Sequence, residues 1–145
     1  MTDLMSLDTL DLDTPHGVSV ARNRFLRKAR ASQDKVAVDH ILTTILRAQP
    51  GRLQEHIERV DNAVEMGDTA KAGVYLDALN AQFPDLTGQL GTRDAVLMLR
   101  SMLSLGHLER AVEMADRLWA GNQDARLGFI ILKVYEEAGG TDRIL

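Results

Sequence analysis

The sequence predicts an all-α fold of stacked antiparallel α-hairpins, about seven helices in all, and three observations carry that prediction. Apolar residues recur at three- and four-residue steps along most of the chain, while two-residue alternation is scarce. The periodic stretches are short, and most are joined by two to four residues, which forces each helix to run antiparallel to its predecessor. The breaks also recur at one interval. Gly106 and Gly140 lie 34 residues apart, and helix starts near 18 and 52 are separated similarly.

The first helix is expected over about 18–31, with Val18, Ala21, Phe25 and Ala29 on one stripe, Leu26 beside it, and Pro15 upstream to help start it. Ser32 or Asp34 caps a second helix, about 35–48, whose Val38, Ile41, Leu42 and Ile45 share a face. Pro50-Gly51 breaks the chain, since proline lacks a backbone donor and glycine tolerates left-handed dihedrals. The third helix, about 52–66, carries Leu53, Ile57, Val60 and Val64; Gly67 stops it and Asp68 caps the next. The fourth, about 69–82, presents Ala72, Tyr75, Leu76 and Leu79 and ends before Pro84. After a loop with Thr92 as the expected cap, the fifth helix, about 93–105, shows Val96, Leu99, Met102 and Leu103. Gly106 separates it from the sixth, about 108–120, with Leu108, Ala111, Val112, Ala115, Leu118 and Trp119. Gly121 and Asn122 stop that helix and cap the seventh, about 124–138, with Leu127, Ile130, Ile131, Val134 and Tyr135, ended by Gly139-Gly140. Met98, Met102 and Met114 read as core filler, and Gly73 and Gly128, inside helices, are expected where helices pack closely.

Two segments carry a further pattern. In the run from Gly67 to Leu76 a turn is followed by Ala72 and, four residues on, by Leu76, with Pro84 eight residues later; Gly106-His107-Leu108-Glu109-Arg110-Ala111 repeats the turn and the small residue, with Ala115 in the later slot. Over about 53–140 the chain therefore resembles the tetratricopeptide repeat family, whose helix pairs recur every 34 residues. Ala95, Met98, Leu99 and Met102 match the first helix of that unit loosely, Phe129 and Leu132 in part, and His56 and Arg59 not at all. The resemblance implies a superhelix in which the first helix of each pair lines a concave surface. Gln54, Ile57, Asp61, Val64, Arg93, Val96, Arg100, Leu103, Leu127, Ile130 and Val134 would approach that side, apolar anchors with two arginines, suited to gripping an amphipathic helix or extended peptide. Each apolar member would equally serve as core between helices.

Composition bounds the chemistry. At 145 residues, with 45% apolar residues, the chain suits one domain over 18–145, preceded by a flexible acidic head over 1–17. The absence of cysteine removes disulfides, thiol nucleophiles and cysteine-ligated metals. His16, His40, His56 and His107 form no His-x-x-x-His pair, so no metal, cofactor or catalytic role is expected. His107 reads as a turn ring that caps a helix, and Glu55–Arg59 and Glu113–Arg117 as surface pairs four residues apart. The head shows no secretory signal and no apolar run is long enough to span a membrane, which places the protein in the cytoplasm.

Two charged features stand out against a formal charge of −4. Arg22, Arg24, Arg27, Lys28 and Arg30, with Lys35 beyond, form a basic patch, either a solvated helix face or a site for nucleic acid. The head, with Asp3, Asp8, Asp11 and Asp13 among leucines, would fold back and mask it, or remain disordered. At the other end, residues 141–145 read as the opening of a helix that does not follow. The apolar end of the stack, Leu127, Ile131, Val134 and Tyr135, would then face a partner or a second copy. The expected function is that of a non-enzymatic protein-binding module, an adaptor or a chaperone, and the architecture looks like the small tetratricopeptide-type chaperones of bacterial secretion systems. The alternative is a regulator that binds nucleic acid through residues 22–35.

Overall fold

The protein is all-helical. The structure, a computed structural model, describes residues 7–84, 86–121 and 124–139, and among these no strand occurs. Seven helices follow one another: α1 over residues 15–31, α2 Lys35–Ala48, α3 Leu53–Glu65, α4 Thr69–Gln82, α5 Thr92–Ser104, α6 Leu108–Gly121 and α7 Ala125–Glu137, with short 3-10 turns at Leu7–Thr9 and Leu86–Gln89. Among the described residues no helix is long and apolar enough to cross a membrane.

The first helix starts three residues earlier than its apolar spacing suggested. The Thr14 side chain accepts from the Gly17 N–H, and Pro15 occupies the first turn, where its missing N–H costs nothing. Its middle, Ala21–Leu26, is π-helical, and the Arg27 N–H donates to the Arg22 carbonyl five residues back. That wide turn inserts one residue into the stripe. The core row becomes Val18, Ala21, Leu26 and Ala29, so Leu26 is buried and Phe25 is displaced to a partly buried position.

The turns inside the hairpins share one backbone motif. At Gly67 and Gly106 the residue after the helix is left-handed, its N–H returns to the carbonyl three residues back, and the next N–H to the carbonyl five back: Gly67 to Val64, Asp68 to Ala63, Gly106 to Leu103, His107 to Met102. Gln33 does the same with a side chain present, at φ 55°, its N–H meeting Arg30 and that of Asp34 meeting Ala29. Asp34 and Asp68 then cap α2 and α4 through the N–H groups of Ala37 and Lys71. The last stop is Gly139, with φ 74°. Thr92, expected as a cap, is instead the first residue of α5, with Gly91 before it; Asn122 lies outside the described residues, and Asp124 caps α7 by accepting from the Arg126 N–H. His107 stands where a cap would, but its buried Nδ1 has no hydrogen-bond partner among the described residues.

Packing divides into two apolar cores. One joins α1 and α2 with Leu7 and Leu12 of the preceding segment; the other joins α3 through α7 and holds Ile57, Leu76, Met98, Leu99, Met102, Met114 and Leu127. Helix α3 packs on α2 and α4 and lies beside α5, which in turn packs on α6 and α7. Alternate helices α3, α5 and α7 thus form a contiguous row. The head assigned to 1–17 packs from residue 7 onward through Leu7 and Leu12, and Gln49 Nε2 donates to the Leu12 carbonyl. Asp3 lies outside the described residues. Gly17 admits this segment: a Cβ there would stand 1.9 Å from the Asp11 carbonyl oxygen. Gly128 lies against the Trp119 ring, as close packing would have it, but a Cβ at Gly73 would meet nothing within 4 Å.

Candidate functional site

Between the two cores runs an ionic layer. On α3, Glu55 is 1% exposed and accepts from Arg22 Nη1 at 2.7 Å and Arg52 Nε at 2.9 Å. Glu58 accepts from Arg22 Nη2 at 2.7 Å and Arg30 Nη2 at 2.6 Å, and Glu65 from Lys35 at 3.2 Å. The Asn62 amide adds a hydrogen bond to the Lys35 carbonyl, 2.9 Å. Burial alone would raise the Glu58 carboxyl; the hydrogen bonds and charges of Arg22 and Arg30 outweigh it and hold the group below the ordinary carboxylate range. The expected Glu55–Arg59 surface pair is therefore not formed. Glu55 belongs to Arg22 and Arg52, whereas the Arg59 guanidinium lies 4.0 Å from the centre of the Tyr75 ring. Tyr75 donates to Asp39, 2.7 Å, which also accepts from Lys71. Glu113–Arg117 is formed at 2.9 Å.

This layer opens into a cleft of about 450 Å3. Its walls come from Arg22, Ala29 and Arg30 of α1, Gln33 of the turn, Lys35 and Val38 of α2, then Gln54, Glu58, Asp61, Asn62 and Glu65 of α3 and Arg93, Asp94 and Leu97 of α5. Residues 54, 58, 61 and 65 follow one another at steps of four, three and four, so a single stripe of α3 faces the opening. Three acids of that helix are ion-paired, but Asp61 has no salt bridge among the described residues. Burial, and then the neighbouring Glu65, push its carboxyl above the ordinary value, with Arg100, Arg30 and Lys35 opposing from farther away.

The chain matches no family model, no curated protein and no solved structure.

Of the concave residues expected from the repeat register, the cleft brings together Gln54, Asp61 and Arg93. Arg100 is exposed outside its walls, and Val64, Val96 and Leu103 are partly buried. Ile57, Leu127, Ile130 and Val134 are core, out of reach of any partner while the chain is folded. The open stripe of α3 is rotated by about one residue from the expected 54, 57, 61, 64 row, which turns Ile57 inward and Glu58 and Glu65 outward. The trough is accordingly charged rather than apolar. The basic patch is divided as well. Arg22 and Arg30 enter the ionic layer, where the acids they meet are Glu55 and Glu58 of α3, and Arg24, Arg27 and Lys28 are exposed. Sequence reasoning missed Glu58, Glu65, Asn62 and Asp94. The signal was present: acids at 58, 61 and 65 at helical spacing, opposite a segment of net charge +5. Among the described residues no three His, Asp or Glu side chains gather as metal ligands.

Proposed function

We propose that this protein is an interaction module, an adaptor or chaperone acting in the cytoplasm, which holds a segment of another polypeptide in the cleft between the α1–α2 turn, α3 and α5. The observation that carries the reading is Asp61, a half-buried carboxylate kept in an open cleft without an ion pair among the described residues. A fold that needed only stability would have neutralised it, as it neutralised Glu55, Glu58 and Glu65. A lysine or arginine of a bound segment supplies the missing charge, while the exposed Arg93 orients an acidic neighbour. Ala29, Val38 and Leu97 provide apolar wall between these charges, and the volume falls within the range of about 300–1,000 Å3 common to ligand sites. The tetratricopeptide-like register is part of the same proposal, and the contiguous row of α3, α5 and α7 supports it. Arg22, Arg30 and Lys35 already answer acids of their own chain, which weakens the nucleic-acid alternative.

The test compares capture of proteins from native extract by the wild-type chain and by the double variant Asp61→Arg, Arg93→Glu. A partner held by the first and lost by the second is expected. Equal capture by both, or a partner displaced by polyanion rather than by peptide, would contradict the reading.

A further inference from the structure

Two of the surface contacts expected from sequence are buried instead. Leu127, Ile131, Val134 and Tyr135, expected to face a partner or a second copy, pack against α5 and α6. Arg59, expected beside Glu55 on the surface, is 9% exposed. Its charge is not answered there. Among the described residues Arg59 makes no salt bridge and no hydrogen bond, and its Nε is enclosed without a partner. Nη1 and Nη2 are not enclosed and reach the surface. The acid that acts on the group, Asp39 of α2, is committed elsewhere: it accepts from the Tyr75 hydroxyl at 2.7 Å and from Lys71 Nζ at 3.3 Å. The Tyr75 ring lies under the guanidinium and sets its plane. Burial weakens the group's hold on its proton, with Tyr75 and Asp39 opposing. An enclosed cation without a counter-charge is costly, and an apolar side chain of similar volume would serve packing better.

We propose that Arg59 anchors a carboxylate-binding site, in which Nη1 and Nη2 grip one carboxylate while Tyr75 braces the guanidinium from beneath. Charge and shape choose this ligand. Arg59, Lys71 and Asp39 sum to one net positive charge, which a single negative charge balances, whereas a phosphate dianion would be repelled by Asp39. The two Nη donors form a planar fork that matches two coplanar oxygens. Lys71, 37% exposed, adds a second cation on the same side of Asp39's contacts. A free small acid and an acidic side chain present the same group, and the experiment separates them. Arg59 is not among the walls of the cleft, so the site stands whether or not a segment occupies that cleft.

Nuclear magnetic resonance of the full chain, labelled with nitrogen-15, reads the Arg59 Nε–H signal directly, and its loss in Arg59→Lys assigns it. Sodium acetate replaces sodium chloride at constant ionic strength. The proposal expects a saturable shift with half-saturation on the order of 10 mM. Acetate at about ten times that concentration should raise Tm by about 4 °C over matched chloride. A short peptide with one glutamate and blocked ends distinguishes the sources: binding of peptide and acetate assigns an acidic side chain, and binding of acetate alone a free small acid. Asp39→Asn removes the opposing charge and should tighten acetate severalfold. Arg59→Met keeps the volume and removes the charge; it should unfold no lower than wild type in chloride and gain nothing from acetate. Circular dichroism establishes that the variants remain helical. An Arg59 signal that acetate leaves unmoved, or that chloride or phosphate moves equally, overturns the proposal. So does acetate stabilisation that persists in Arg59→Met.

Discussion

Removing the Arg22 guanidinium would leave the buried Glu55 carboxylate with Arg52 as its remaining cation, and Glu58 with Arg30. Breaking such a network from one side is costly because the orphaned charge stays out of water. Arg22→Ala should destabilise the fold by about 3 kcal/mol in urea unfolding, and Arg22→Lys should recover only part, since an ammonium cannot fork between two carboxylates. His56 offers a pH-dependent counterpart. Its Nε2–H donates to the Pro50 carbonyl at 2.7 Å, leaving Nδ1 buried without a partner among the described residues. Burial lowers the ring's affinity for a proton, and Arg59 adds to that, against the opposing hydrogen bond to Pro50 and the charge of Glu55. Above the ordinary value of 6.5 the ring is neutral folded and unfolded, so it contributes no pH dependence. As pH falls below that, the unfolded chain takes the proton first, and stability declines until the folded value is passed. Urea midpoints at pH 7.5 and pH 5.5 should therefore differ more for wild type than for His56→Gln. An equal difference would remove the ring from the account.

The two helical glycines Gly17 and Gly73 separate packing from propensity at the level of elements. A methyl group at Gly17 collides with the Asp11 backbone, so Gly17→Ala should dislodge the segment over 7–14 and lower stability. The same change at Gly73 meets open space and should stabilise α4 by about 1 kcal/mol, the difference in helix propensity, raising Tm by about 3 °C. Calorimetry of both variants checks the opposite signs. The elements themselves were largely legible. The starts of α2 and α4 and the stop of α3 agree with the sequence reading because Asp34, Asp68 and Gly67 carry cap and stop chemistry that acts locally. The π-helical turn of α1 was not, since a step of five between Ala21 and Leu26 competes with the three- and four-step through Phe25, and only tertiary packing decides between them. Nor was the left-handed Gln33, which repeats the Gly67 turn without a glycine to announce it.

Across the whole molecule, two apolar cores meet through arginine, glutamate and asparagine, and the cleft is where that polar layer reaches solvent. The site was half legible for this reason. Periodicity found which helix faces inward, but it could not fix the rotation of α3 to within one residue, and that rotation decides whether Ile57 or Glu58 faces the opening. Long-range pairs such as Arg22–Glu55, 33 residues apart, leave no local pattern at all. The claim on which the functional account rests is that a polypeptide segment occupies this cleft. Hydrogen exchange of the backbone amides, measured with and without the partner captured by the wild-type chain, tests it most directly. The account predicts added protection in residues 30–35, 54–65 and 93–97. Protection confined to α6 and α7, with those three segments unchanged, would contradict it.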